Sequence, residues 1–191
     1  METAAVQSPA ITTNRNIWFV SDTHYGHANM LRFKTADGNL LREFDSVEHM
    51  NETMVENHNR VVKPDDIVYH CGDVFFGEGW RYLPRLQGRK RLILGNHDNA
   101  KGQYIQNNFQ KILVWRMFPE FGIVVTHIPI HSGSFEMRDM VNIHGHTHRN
   151  WVQTTNDAGL SINDPKYFNV CVENHDYTPI HLEELLVRIK T

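Results

Sequence analysis

Residues 17–24 read IWFVSDTH, a short run of aromatic and β-branched residues that closes on an aspartate and a histidine one residue apart. The run has the length and composition of a buried strand. The Asp-x-His that follows puts two metal-competent side chains at its carboxyl end. The pattern recurs as IVYHCGD at 67–73, LILGNHD at 92–98, IVVTH at 123–127 and VNIHGHTH at 141–148. Open α/β sheets bind ligands beyond the carboxyl ends of their strands. Runs that all end alike therefore predict strands that deliver their polar tips to one shared site. With two further apolar runs, the predicted strands cover 17–21, 67–70, 91–94, 111–117, 122–126, 141–144 and 167–172.

Between these runs lie stretches with helical spacing. Ser46 is suited to cap a helix that carries Val47, Met50, Met54, Val55, His58, Val61 and Val62 on one face, and Pro64 ends it. A second helix is predicted over 101–108, and a third in the closing LEELLVRIK, where Leu182, Leu185, Leu186 and Ile189 recur at helical spacing. Strands alternating with helices predict an α/β architecture. Residues 15–191 read as one domain behind a flexible tail at 1–14, since no repeat and no linker rich in Gly, Ser or Pro divides the chain.

Composition narrows the function. An apolar fraction of 40% with 21% charged residues excludes a disordered or fibrous chain. No segment approaches the roughly 20 apolar residues of a membrane span, and the first fourteen residues lack the charged start and apolar stretch of a secretory signal. Two cysteines, Cys71 and Cys171, are too few for a disulfide framework and fit a reduced, cytoplasmic protein. Formal net charge is −3, and the basic cluster of Arg85, Arg89, Lys90 and Arg91 reads as a solvated lead-in to a strand, which argues against an extended nucleic-acid surface. Thirteen histidines without a tag-like run are the unusual entry, and histidine is a common metal ligand.

The spacing within the runs suits convergence. In extended chain Asp22 and His24 point one way while Thr23 points the other, and the same holds for His146 and His148 about Thr147. Gly72, Gly95 and Gly145 each precede a candidate ligand, where a missing Cβ permits a tight turn. Carboxylate, imidazole and amide donors without thiolate favour Mn²⁺, with Fe, Zn²⁺ or Ni²⁺ as alternatives, over Ca²⁺ or a cysteine-bound structural zinc.

DTH at 22–24, GD at 72–73, GNHD at 95–98, His127 and GHTH at 145–148 together resemble the ordered motifs of the calcineurin-like metallophosphoesterases, over Ile17 to Arg149. The resemblance implies a four-layer α/β/β/α sandwich and a centre of two divalent metal ions. It implies that Asp22, His24 and His148 hold the first ion and that Asn96, His127 and His146 hold the second, with Asp73 bridging both. His97 would protonate the leaving group, and Asp98 would orient His97 or tune its basicity. The opening SDTHYGHANM is similar to a compact bacterial and phage-type subgroup. One departure bears on substrate choice: GDVFFGEGW lacks the Asp and Arg that many members carry after GD, so a phosphate-contacting arginine is missing there.

Around that core, His27 and His131 lie in loops after ligand-bearing strands and are candidate substrate contacts. His70 and His144 fall within strands and read as structural. Phe75, Phe76 and Trp80 follow Asp73 closely enough to form an aromatic wall, although packing is the plainer reading. The expected activity is hydrolysis of a phosphodiester, such as a nucleotide, cyclic nucleotide or nucleic-acid end, by metal-activated water. The alternatives are a phosphomonoesterase and a binding scaffold that keeps the fold without the reaction. The expected partner is a nucleotide-like phosphate ester, with no membrane association.

Overall fold

A computed structural model describes residues 16–135 and 139–190. The tail predicted at 1–14 lies outside the described residues.

Alternation along the strands sets the layers. In β1 (Ile17–Val20), Ile17 and Phe19 face one core while Trp18 and Val20 face another. Tyr69 and Val68 of β2 (Ile67–His70), and Ile93 and Leu92 of β3 (Arg89–Ile93), divide in the same way. Both faces of this sheet are therefore covered, as parallel sheets require. With β4 (Lys111–Leu113) the four strands run parallel, and β11 (Ile180–His181) closes the β1 edge antiparallel, giving the order β11-β1-β2-β3-β4.

A second sheet runs β10-β7-β6-β5, from β5 (Arg116–Phe118), β6 (Ile123–Val125), β7 (Val141–His144) and β10 (Tyr167–Asn169). Its Phe118, Ile123, Val125, Ile143 and Phe168 meet Phe19 and Tyr69 of the first sheet in a shared core. The Phe118 ring meets Tyr69 edge-on at 5.3 Å between centroids. On the outer face of the first sheet lie α1 (Val47–Val61), through Met50, Met54 and Val55, and α2 (Gln103–Asn108), through Ile105. Leu182 and Leu185 of α3 (Leu182–Arg188) enter the core between the sheets. The outer face of the second sheet is covered by Phe135 and Met140 packed on Val124, so this layer is thin among the described residues. The architecture is the α/β class that the motifs imply, two sheets packed face to face with α1 and α2 outside the first.

Ser46 caps α1 as its sequence position predicts, its oxygen accepting from the His49 N–H at 3.0 Å. The predicted strand at 111–117 is instead two strands in different sheets. Lys111–Leu113 pairs with β3, Val114 and Trp115 cross exposed between the layers, and Arg116–Phe118 pairs with β6. The predicted 167–172 strand stops at Asn169. A 3-10 helix at Gly77–Arg85 and a β ribbon of β8 (Gln153–Thr155) with β9 (Ser161–Asn163) carry no sequence signal strong enough to predict them. Among the described residues no helix is long and apolar enough to cross a membrane.

Candidate metal centre

The carboxyl ends of β1, β2, β3, β6 and β7 converge, and the chain turns sharply as it leaves three of them. Asp22 (φ 57°), His24 (49°), Asp73 (57°), His146 (69°) and His148 (51°) all occupy the left-handed region. Each such residue costs about 1–3 kcal/mol unless its surroundings hold it. Here the Asp22 N–H donates to the Gly72 carbonyl (2.9 Å), and the His24 N–H to the Asp73 carbonyl (3.1 Å). The paired ligands do share a side, as the sequence suggests, but through alternate left-handed residues rather than through extended backbone. Thr23, between them, turns away to donate its hydroxyl to the Val74 carbonyl at 2.8 Å.

The turns leave no room for side chains at two glycines. A Cβ on Gly95 would collide with Asp73, and one on Gly145 with Ser21 and Asp22. These close approaches press neighbouring motifs onto one another.

Two groups of candidate ligands result, Asp22 with His24 and His148, and Asp73 with His127 and His146, the donor atoms of each group lying within 4.8 Å of one another. Asp73 Oδ2 stands between them, 3.8 Å from His24 Nε2 and 3.5 Å from His127 Nε2. Asn96 joins the second group, its Oδ1 2.9 Å from His127 Nε2.

Local hydrogen bonds leave the metal-facing atoms open. His127 Nδ1–H donates to the Cys71 carbonyl at 2.8 Å, which turns the Nε2 lone pair toward the oxygens of Asn96 and Asp73. Asp22 Oδ2 receives the His146 N–H (2.8 Å), the Ser21 hydroxyl (2.6 Å) and the Cys171 thiol (3.2 Å). By contrast, Asp22 Oδ1 and both ring nitrogens of His24 are buried without a hydrogen-bond partner among the described residues. Burying such groups unpaired is costly, and a divalent cation between them removes the cost. The residues present therefore fit two metal ions bound by nitrogen and oxygen. Burial opposes ionisation of Asp22, but His24, His127 and His148 outweigh it and hold the carboxyl well below the usual range. For Asp73, burial is likewise outweighed, by His127 and the His97 N–H, and the shift is again downward. Burial pushes both cysteine thiols up, so they remain protonated and serve as packing and donors.

A buried support behind the first group carries no motif in the sequence. His148 Nδ1 donates to Glu173 Oε1 at 3.0 Å, which aims Nε2 at the cluster. Glu173 also accepts from Arg42 Nε at 2.8 Å, and the fully buried Arg42 guanidinium donates to the carbonyls of Asp22 (2.5 Å) and Thr23 (2.9 Å). The Arg42–Glu173 pair spans 131 residues of sequence, which is why inspection of either neighbourhood misses it. Glu173→Gln is expected to weaken metal affinity about 10–100-fold. Competition with a fluorescent chelator measures this, and an unchanged affinity would remove Glu173 from the centre.

The other candidate residues divide. The half-exposed His97 ring lies near the Phe76 ring (5.0 Å) and the His24 ring (6.1 Å), with Nε2 4.0 Å from Asp73 Oδ2. Asp98 does not reach that imidazole, contrary to expectation. Its carboxylate accepts the backbone N–H groups of Asp73 (2.9 Å), Val74 (3.0 Å) and Gly95 (2.8 Å), so it clasps two loops together. His27 stacks on Phe76 at 4.1 Å beside the first group, whereas the exposed His131 caps a 3-10 turn by accepting from the Gly133 N–H. His70 is structural, as expected: its Nε2 lies 2.9 Å from the Thr23 hydroxyl, and burial pushes its pKa down to about 3. Of the aromatic wall, Phe76 stands at the centre, while Trp80 stacks on Tyr104 at 4.0 Å instead.

Two clefts flank the candidate ligands. One of about 500 Å³ opens beside Asn96 and His127. The other, of about 540 Å³, opens beside His146 and His148, where Lys34 and Arg149 bring positive charge from loops far from the GD motif.

Residues 16–169 match the calcineurin-like phosphoesterase superfamily domain. An uncharacterized protein of Methanocaldococcus jannaschii is 33% identical over 92% of this chain and 91% of its own length. The gene 66 protein of Mycobacterium phage L5 is 31% identical over 70% of this chain and 77% of its own. Among solved structures, a protein of unknown function from Aquifex aeolicus superposes with a TM-score of 0.65 at 28% identity, over 90% of this chain and 98% of that one. The chain belongs to the calcineurin-like phosphoesterase superfamily, a family of metal-dependent hydrolases.

Proposed function

We propose that this protein is a dinuclear metal phosphodiesterase acting on a nucleotide-like ester. The observation that carries the reading is the position of Asp73 between two groups of ligands, with His97 beside it on the open side. Asp22, His24 and His148 would hold one ion and Asn96, His127 and His146 the other, with Asp73 shared. Two divalent ions so held, Mn²⁺ preferred, would polarise the phosphoryl oxygens and activate the attacking water. The chain's own residues supply the rest. The half-exposed His97 side chain stands beside Asp73, where its Nε2 would give a proton to the departing oxygen. Lys34 and Arg149 draw the anion in from the polar cleft and take the place of the arginine missing after GD.

The two clefts support a diester, since each side of the centre has room for one substituent. Free, buried Cys71 and Cys171 are compatible with a reducing, cytoplasmic setting. The test is hydrolysis of bis-p-nitrophenyl phosphate against p-nitrophenyl phosphate with Mn²⁺, then with chelator. The diester is expected to be favoured, with activity lost on chelation and restored by Mn²⁺. Turnover that survives chelation would sink the reading, and preference for the monoester would make the protein a phosphatase.

A further inference from the structure

The cleft beside Asn96 and His127 differs from its polar counterpart. Its walls are hydrocarbon, from Leu94, Val114, Trp115, Met117, Ile128 and Ile130. Val114 is 71% exposed, Trp115 55% and Ile128 48%, so three large apolar side chains stand in water around one concavity. Scattered exposed apolar residues need no explanation, but a cluster lining a cleft marks a binding site. Trp115 has neither a ring partner nor a hydrogen bond among the described residues, and the Thr126 hydroxyl in the wall is committed to the Ile128 carbonyl at 2.8 Å. Among the described residues no Asp, Glu, Lys or Arg side chain lines the cleft.

We propose that this trough is the subsite for the retained substituent of the diester, and that it selects an aromatic ring or short hydrocarbon group. The inference rests on the phosphodiesterase reading above and adds the class of substrate. Asn96 and His127 belong both to the second ligand group and to the trough, so a phosphate seated at the centre delivers one substituent directly into it. The departing oxygen must lie within reach of His97, whose ring contacts are His24 and Phe76 and which takes no part in the trough. The substituent entering the trough is therefore the one that stays on phosphorus. A volume of about 500 Å³ holds a planar ring with room to spare. A sugar-phosphate chain would lose its hydration against these walls and find few polar partners among the described residues, which argues against a continuing nucleic-acid strand on this side.

The test uses two esters with the same leaving group, bis-p-nitrophenyl phosphate and methyl p-nitrophenyl phosphate, and the full-length Mn²⁺-loaded protein. Comparing each variant with wild type on each ester cancels the intrinsic difference in reactivity. In the Val114→Ser/Trp115→Ala double variant, kcat/KM for the aryl ester is expected to fall about tenfold further than for the methyl ester, mainly through KM. Trp115→Phe should recover most of the loss. Both positions are exposed, so metal content and circular dichroism should match wild type. Equal losses on the two esters, or none, would overturn the subsite while leaving the phosphodiesterase reading intact. A wild-type dimer that the double variant converts to monomer, with both esters unaffected, would assign the apolar strip to self-association and likewise overturn it. No turnover of either ester by wild type would overturn the phosphodiesterase reading and this inference with it.

Discussion

His97→Ala is expected to reduce turnover of an ester with a poor leaving group by about 10²–10⁴ while leaving bound metal unchanged. The two halves of this expectation have separate structural causes. The ring stands half in solvent, with no hydrogen bond to hold it among the described residues, and its Nε2 lies 4.0 Å from Asp73, so its removal takes a proton donor from the open side. What ties the residue to the centre is its main chain: the His97 N–H donates to Asp73 Oδ1 at 3.0 Å, and alanine keeps that donor. The loss should shrink for p-nitrophenyl esters, whose leaving group departs as an anion without a proton. Equal losses on alkyl and p-nitrophenyl leaving groups would move His97 from proton donation to binding the phosphate. Metal analysis beside kcat on both ester types decides the matter.

Asp73→Asn should act on the metals themselves. Its Oδ2 is placed toward both groups, 3.8 Å from His24 Nε2 and 3.5 Å from His127 Nε2. The amide removes the negative charge that would hold two cations close together. Bound metal is expected to fall from about two ions per chain to below one, with activity falling to background. The metal-free protein should also lose some stability, because His127 and the His97 N–H hold the Asp73 carboxylate in its charged form against burial and the Asp22 charge, and the amide forfeits that attraction. Thermal unfolding should then show a variant somewhat less stable than wild type in chelator, and without the rise in Tm that Mn²⁺ gives wild type. Full metal occupancy in Asp73→Asn would contradict the shared role.

The motif residues were legible because each follows an apolar run that can only be a buried strand. A parallel sheet then dictates which end of that strand carries the ligands. Asp22, His24, Asp73, Asn96, His127, His146 and His148 converge for that reason. The supports were not legible. Arg42 sits in an unremarkable LREF and Glu173 in VEN, and only folding brings them together behind His148. Asp98 shows the opposite limit. Its place beside His97 suggests a partnership, but three backbone N–H groups compete for the carboxylate and take it. The run at 111–117 misleads in a third way, because continuous hydrophobicity cannot tell one long strand from two short ones joined by an exposed crossing.

Under the proposed subsite, that crossing separates selectivity from chemistry. The candidate ligands are locked by left-handed turns, by collisions that forbid larger residues at Gly95 and Gly145, and by a buried Arg–Glu brace, so most changes there disturb several of them at once. Val114 and Trp115, a two-residue link passing from one sheet to the other, answer to none of those constraints. Mutations at this link can accumulate at little cost to folding or to the centre. With the proposed subsite at this link, which ester is accepted would change by redrawing two exposed side chains, and a library confined to these positions is the economical place to search for new substrates.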